Sequence, residues 1–256
     1  MVSSAPVALV TGGARRIGRA IVEDLAAHGW AVAIHHHQSH AEAEQMVGAI
    51  AASGGRATMV MGDLADPDCH TEMIAEAAKV LGPVTLLVNN ASIFEKDTIG
   101  ALARQQWDRQ FAVNLAAPVF LAEAFAKALA EGAEGNVINL LDQRIWHPGP
   151  AYFSYQLTKS ALAVATETLA MALAPRIRVN GIAPGPVLPS AHASPEAFAR
   201  QIASLPLQRQ PELADFGRTV RYLVENRSIT GQIIALDGGQ HLGFRPAEST
   251  SSSSNA

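Results

Sequence analysis

The stretch PVALVTGGARRIG, residues 6–18, constrains the fold more than any other. Residues 6–10 form an apolar run too short for a helix. It passes directly into a glycine turn, and a helical stripe of Ile17, Ala20, Ile21 and Leu25 starts at once. Strand, glycine turn and helix in immediate succession form the opening unit of a parallel sheet, whose strands run continuously apolar because helices cover both faces. The same alternation continues along the chain. Strands are predicted at residues 31–34, 57–61, 85–88, 135–141, 177–180 and 233–236. Helices are predicted at 41–52, 67–81, 102–114, 119–129 and 155–174, with Gly29, Gly54-Gly55 and Gly82-Pro83 as stops. The expected architecture is α/β: a single doubly wound Rossmann-type domain over residues 1–245, with a seven-stranded parallel sheet flanked by helices.

Composition narrows the function classes. A chain of 256 residues that is 48% hydrophobic suits one domain with a full core. A net charge of -4 without a basic stripe argues against a nucleic-acid partner. The sole cysteine, Cys69, excludes an intrachain disulfide framework and a multi-cysteine metal site; its polar neighbours place it in a loop or at a helix start. No apolar run approaches the roughly 18 residues of a membrane span, and the N-terminus lacks a basic leader region. A cytoplasmic protein with no membrane partner is therefore expected. Residues 246–256 are Ser-rich and expected to be disordered.

A glycine turn that opens a helix lets backbone approach a pyrophosphate, where the free N–H groups and the dipole favour negative charge. Gly12, Arg15, Arg16, Ile17 and Gly18 are the candidate contacts, although the GxGxxG spacing is absent and a plain tight turn remains an alternative. The end of the second strand faces the adenosine ribose in such a fold. An NAD site places an acid there; this chain has His35, His36, His37, Gln38 and Ser39. His37, Gln38 and Ser39 can donate to a 2'-phosphate, and Arg15 and Arg16 can pair with it, which favours NADPH over NADH. A metal reading of the three histidines conflicts with the alternation of strand side chains, so no metal is expected. Asp63, with Leu64, ends the third strand and can meet the adenine, or Asp63 simply caps the next helix. Asn89, Asn90, Ala91 and Ser92 follow the fourth strand and can line the nicotinamide ribose, although asparagines are also ordinary turn formers.

Tyr155 and Lys159 lie four residues apart in a predicted helix and share one face. An ammonium near a phenol favours the phenolate, so the tyrosine pKa is expected to be lowered and the pair to deliver a proton. Pro148-Gly149-Pro150 forces a loop just ahead of them.

These residues together resemble the classical short-chain dehydrogenases/reductases. The resemblance rests on Thr11-Gly12 with Gly18, Asp63, Asn89-Asn90-Ala91, Asn114, Tyr155 with Lys159, Pro184-Gly185 and the closing Leu236-Asp237-Gly238-Gly239. It implies that Asn114, Tyr155 and Lys159 form a proton relay, with a water near Lys159 held by Asn114. It also implies that Lys159, Pro184 and Gly185 join the cofactor contacts and that the protein is a homotetramer. The family's usual catalytic serine is replaced by Asp142.

That replacement resembles the pteridine reductase branch. So do Arg16-Ile17-Gly18, the His35, His37, Ser39 pattern and Asn89 to Phe94, whose Phe94 would stack on a pterin; the branch usually has an Arg in place of Gln38. A pterin presents ring N–H and amino donors, which a carboxylate can accept, whereas the developing alkoxide of a ketone would be repelled by it. Asp142 is thus expected to select the substrate class, the alternative being a cap or salt bridge to Arg144. The implied activity is NADPH-dependent reduction of a small-molecule dihydropterin or dihydrofolate. An NADPH-dependent carbonyl reductase acting on a 3-oxoacyl thioester, ketone or sugar stays open, as does an idle dinucleotide-binding protein. Residues 186–211 are the expected substrate lid, with His192 its one distinctive side chain, and Trp146 and Tyr152 can line the pocket.

Overall fold

The structure is a computed structural model and describes residues 5–189 and 194–243. Seven strands form one all-parallel sheet: β1 Val7–Val10, β2 Ala31–His36, β3 Ala57–Met61, β4 Val84–Asn89, β5 Gly135–Leu140, β6 Ile177–Pro184 and β7 Ile233–Leu236. Their spatial order is β3-β2-β1-β4-β5-β6-β7. Neighbouring pairs run in parallel register, Val10 beside Ile34 and Val88 beside Ile138. The order reverses between β1 and β4, and the crevice beyond the strand ends at such a reversal is where ligands bind in this architecture.

The helices are α1 Arg16–Ala27, α2 His40–Ala52, α3 Cys69–Leu81, α4 Arg104–Phe111, α5 Ala117–Ala128, α6 Phe153–Leu173, α7 Pro195–Ala203 and α8 Leu213–Glu225. Alternate strand residues feed opposite cores. Leu9, Leu87, Val137 and Val179 pack with Met73, Leu121 and Phe125 on one face. Val10, Ile34, Val88 and Ile138 pack with Ile21, Leu25, Phe216 and Val220 on the other. Phe125 is fully buried, and its truncation to Ala would cost about 3–5 kcal/mol.

Several boundaries differ from the sequence expectation. β2 runs on to His36 because its backbone stays paired with β3 as far as Met61, and β6 extends to Pro184 beside β7. The break expected between residues 114 and 119 is a π turn, Ala112–Ala116, joining α4 to α5 in one continuous rod. Pro118 has no N–H to offer the Asn114 carbonyl four residues back, and the wider turn accommodates that loss without ending the helix. The rod Arg104–Ala128 is long and apolar enough to span a membrane by length and composition, contrary to the expectation that no run approaches that length. Here it packs along the sheet and places Leu121, Ala122 and Phe125 in the core.

Candidate active site

The ends of β1 and β4 are stitched together by side chains. The Thr11 Oγ accepts from the Asn90 and Ala91 N–H groups at 2.9 and 3.0 Å. Asn90 Nδ2 donates to the Thr11 and Gly12 carbonyls at 2.8 and 3.1 Å. Gly12 adopts φ +60°, and a Cβ on Gly18 would stand 2.2 Å from the Gly12 carbonyl oxygen. Only glycine lets α1 approach the turn this closely. His35 holds the turn from the opposite side: the Gly12 N–H donates to Nδ1 at 3.1 Å, and Nε2 lies 3.1 Å from the Gly62 carbonyl. Nε2 therefore carries the proton and the ring is neutral. Burial lowers its pKa to about 4.

Around the second strand end, the three histidines diverge. His36 is edge-on to His40, and His37 lies 3.8 Å from Asp63. Asp63 accepts from the Ala65 N–H at 3.0 Å and approaches Arg109 at 3.5 Å. Burial opposes its ionisation, but the Ala65 N–H, Arg109 and His37 outweigh it and hold its pKa below the usual range. Arg15 is paired with Glu42 of α2, its Nε donating at 2.8 Å.

The reactive cluster forms where β5 meets α6. Asp142 follows β5 and caps a 3₁₀ turn, Gln143–Ile145, by accepting from the Arg144 N–H at 2.9 Å. The Tyr155 hydroxyl donates to Asp142 Oδ2 at 3.1 Å, and the Arg144 guanidinium reaches the same oxygen at 3.0 Å. Tyr155 is pushed well above its ordinary pKa by burial first and then by the Asp142 charge, with Arg144 and Ser92 opposing. The lowering expected from Lys159 is overturned, since Lys159 Nζ lies 5.8 Å from the Tyr155 ring centroid and donates to the Leu140 carbonyl at 2.7 Å. Burial lowers Lys159 to about 8, partly offset by Asp142. A buried carboxylate, Asp97, fixes the start of α6. It accepts from the Ser154 hydroxyl at 2.5 Å and from the Ser154 N–H at 3.2 Å, and Gln110 Nε2 donates to that hydroxyl at 2.6 Å.

Aromatic groups wall the space beside this cluster. Phe94 stacks on Tyr152 with centroids 4.2 Å apart and planes 7° apart, and meets Tyr155 edge-on at 4.7 Å. Asn114 Oδ1 accepts from the Ile93 N–H at 2.8 Å and the Ser92 hydroxyl at 3.1 Å, while Nδ2 donates to the Ile93 carbonyl at 2.9 Å. It thereby ties the Phe94 segment to the π turn. A cleft of about 730 Å³ runs from the glycine turn to these rings.

The short chain dehydrogenase family model matches residues 6–198. The chain belongs to that family. An alternative dihydrofolate reductase, FolM, from Brucella canis in complex with NADP has a TM-score of 0.92 to this short-chain dehydrogenase at 58% identity, covering 97% of this chain and 98% of that one. The Brucella suis counterpart, also with NADP, has a TM-score of 0.91 at 58% identity and covers 96% and 99%. The 3-oxoacyl-(acyl-carrier-protein) reductase of Staphylococcus epidermidis is 33% identical over 242 residues, 92% of this chain and 98% of that one. The protein is an NADP(H)-dependent reductase, and its likeness to these two dihydrofolate reductases supports the resemblance to the pteridine reductase branch. Its cleft fits the cofactor: a glycine-only cradle at Gly12 and Gly18 with cationic Arg15 and Arg16 beside Ser39.

Of the residues expected at the site of this short-chain dehydrogenase, Gly12, Arg15, Arg16, Ile17, Gly18, Ser39, Ala91, Ser92, Phe94, Asp142, Tyr155, Lys159, Pro184 and Gly185 all border the cleft. Others stand apart from it. Asn89 Nδ2 donates to Asn139 Oδ1 at 2.9 Å, a buried strut between β4 and β5. Leu64 turns into the core, and Asn114 is buried against Ser92 and Ile93. His37 and Gln38 are exposed beyond the cleft wall. Trp146 is carried round by the 3₁₀ turn to pack against His241, centroids 5.0 Å apart, and borders a second cavity with Met171 and Ile233. Cys69 starts α3 as expected but is buried, which raises its thiol to about 11.

Four site features escaped the sequence reading. Arg144 is expected there only as an alternative partner of Asp142, and nothing in the sequence around Asp97 marks it. The predicted lid contains α7, whose Phe198 and Gln201 face the cleft. Their three-residue spacing is the signal that was available. His192 lies outside the described residues. Glu42 is a carboxylate within reach of the cationic turn, found only because α2 folds back over it.

Proposed function

We propose that this protein reduces the ring of a dihydropterin or dihydrofolate at the expense of NADPH. The observation that carries the reading is the Asp142 carboxylate, 3.1 Å from the Tyr155 hydroxyl and bordering the same cleft as Phe94. The 58% identity to proteins described as alternative dihydrofolate reductases supports it. The glycine turn, Arg15, Arg16 and Ser39 would hold the phosphates, with Ala91, Ser92, Lys159, Pro184 and Gly185 toward the nicotinamide end. Bound NADPH supplies the hydride.

The chain's own residues handle the proton. Tyr155, kept as a phenol by burial and by Asp142, donates it to the ring nitrogen beside the reduced carbon. Asp142 accepts from the pterin's N–H or amino donors and orients the ring against Phe94. Lys159 supplies positive charge below the phenol. Asn114 keeps the Phe94 segment in place. The reacting carbonyl of a ketone or thioester substrate is an acceptor, which leaves Asp142 facing a developing oxyanion. The relation to a 3-oxoacyl reductase makes that class the natural competitor.

An NADPH-oxidation assay decides between them. Dihydrobiopterin, dihydrofolate and dihydromonapterin should be turned over, and a panel of ketones and 3-oxoacyl thioesters should not. Good ketone turnover with silence on every pteridine would reject the reading.

We infer a homotetramer and a cytoplasmic location from the family resemblance; the exposed Phe120, Leu157, Val164 and Met171 on α5 and α6 are surface that such an assembly would bury. Light scattering on the purified protein tests the assembly; a monomer at micromolar concentration would rule it out.

A further inference from the structure

Arg144 forms a link that the proton relay does not by itself require. Its backbone N–H donates to Asp142 Oδ1 at 2.9 Å, and its guanidinium donates to Oδ2 at 3.0 Å. The Tyr155 hydroxyl shares Oδ2 at 3.1 Å. The same guanidinium lies 5.3 Å from the Phe94 ring centroid and 5.5 Å from that of Tyr152. Both members of the ion pair are largely withdrawn from water, with side-chain exposures of 29% for Arg144 and 14% for Asp142. The salt bridge and the tyrosine contact are therefore not alternatives: one carboxylate makes both.

We propose that Arg144 is the positioning residue of this site, a planar counter-ion that locks Asp142 onto Tyr155 and joins that pair to the Phe94–Tyr152 wall. A carboxylate alone beside a buried phenol would hold the phenol's proton too strongly and could turn away from it. A guanidinium on the carboxylate removes part of that field and leaves one orientation for Oδ2. Its place within 5.3 and 5.5 Å of the two ring centroids fixes the spacing between the stacking surface and the acid. The ionisable groups that face Asp142 among the described residues are Arg144 on its own segment and Tyr155 and Lys159 from α6. Lysine can restore the charge but not the planar two-sided contact.

The inference rests on the proton-relay reading above, and its test separates the two. Turnover and Michaelis constants are measured with NADPH and dihydrobiopterin for the wild type, Arg144→Met, Arg144→Lys, Asp142→Asn and the Arg144→Met/Asp142→Asn double variant. NADPH binding by fluorescence and melting temperature serve as folding controls. Arg144→Met should lower turnover by about tenfold or more with NADPH affinity retained. Arg144→Lys should recover part of the loss. In the Asp142→Asn background the same Arg144→Met change should matter by less than about twofold, because its partner is gone. Equal losses in both backgrounds, or no loss in either, would overturn the proposal. Crystal structures of Arg144→Met and wild type with NADPH need no substrate and decide the matter independently. The Tyr155–Asp142 contact or the Phe94–Tyr152 stack should open in the variant. Their persistence unchanged would overturn the positioning role, whereas a wild type inert toward every pteridine would overturn only the substrate reading.

Discussion

His35 fastens the glycine turn to the end of the third strand, accepting from the Gly12 N–H at 3.1 Å while its other nitrogen faces the Gly62 carbonyl at 3.1 Å. That arrangement needs a neutral ring. With a folded pKa of about 4 against 6.5 for the free side chain, the unfolded chain binds the proton first as pH falls. The stabilisation is complete above about pH 6.5 and is lost between there and pH 4, amounting to about 3 kcal/mol at most. Urea unfolding at pH 7 and pH 4.5 should show a smaller pH dependence for His35→Gln than for the wild type. Identical slopes would remove His35 from the account.

Lys159 should set the alkaline limit of activity. Its ammonium is charged below about pH 8 and progressively neutral above. The profile of kcat/KM, which reports the free enzyme, should decline above about pH 8. A profile flat to pH 10 would show that the charge is unnecessary.

Tyr155→Phe should act mainly on turnover, by about two to four decades, since the lost proton donor matters in the transition state. Asp142→Ala should impair turnover and KM together, by about one to two decades in rate, because the carboxylate also receives the ring donors. Asp142→Ser should weaken pteridine reduction and open carbonyl activity. Wild-type-like pteridine kinetics for Asp142→Ala would leave the carboxylate without its assigned role.

NADPH should be preferred to NADH, and Arg16→Ala should raise chiefly the KM for NADPH. The Arg15–Glu42 pair adds a refinement: if Arg15 holds the 2'-phosphate as proposed, Glu42 competes for it. Glu42→Gln should therefore lower the NADPH KM by a factor of about two, an effect that shrinks with added salt. Steady-state kinetics at low and high ionic strength test this; an unchanged or higher KM would count against it.

Asp97→Ala should strip the start of α6 of its acceptor. Ser154 then keeps a buried hydroxyl and N–H without their partner, at a cost of about 1–3 kcal/mol, and the melting temperature should fall by several degrees. Because Ser154 adjoins Tyr155, turnover should fall as well. A full-strength enzyme with an unchanged melting temperature would refute the role.

The alternation of strands and helices was legible because each is a local pattern: backbone geometry imposes periods of two and 3.6, and burial on both sheet faces demands apolar runs. Tyr155 and Lys159 were likewise legible, being neighbours on one helical face. So was the glycine turn, since close approach excludes a Cβ at Gly18. What the tertiary structure decided depends on which strand ends lie side by side. Placing β2 between β1 and β3 made His35 a clamp, and pairing β4 with β5 made Asn89 a strut. The sign of the Tyr155 shift followed from burial and from Asp142 across the β5–α6 junction, which four-residue spacing to a lysine does not encode. Arg144 belongs with these, because one guanidinium meets an acid and two rings only after three separate segments have converged.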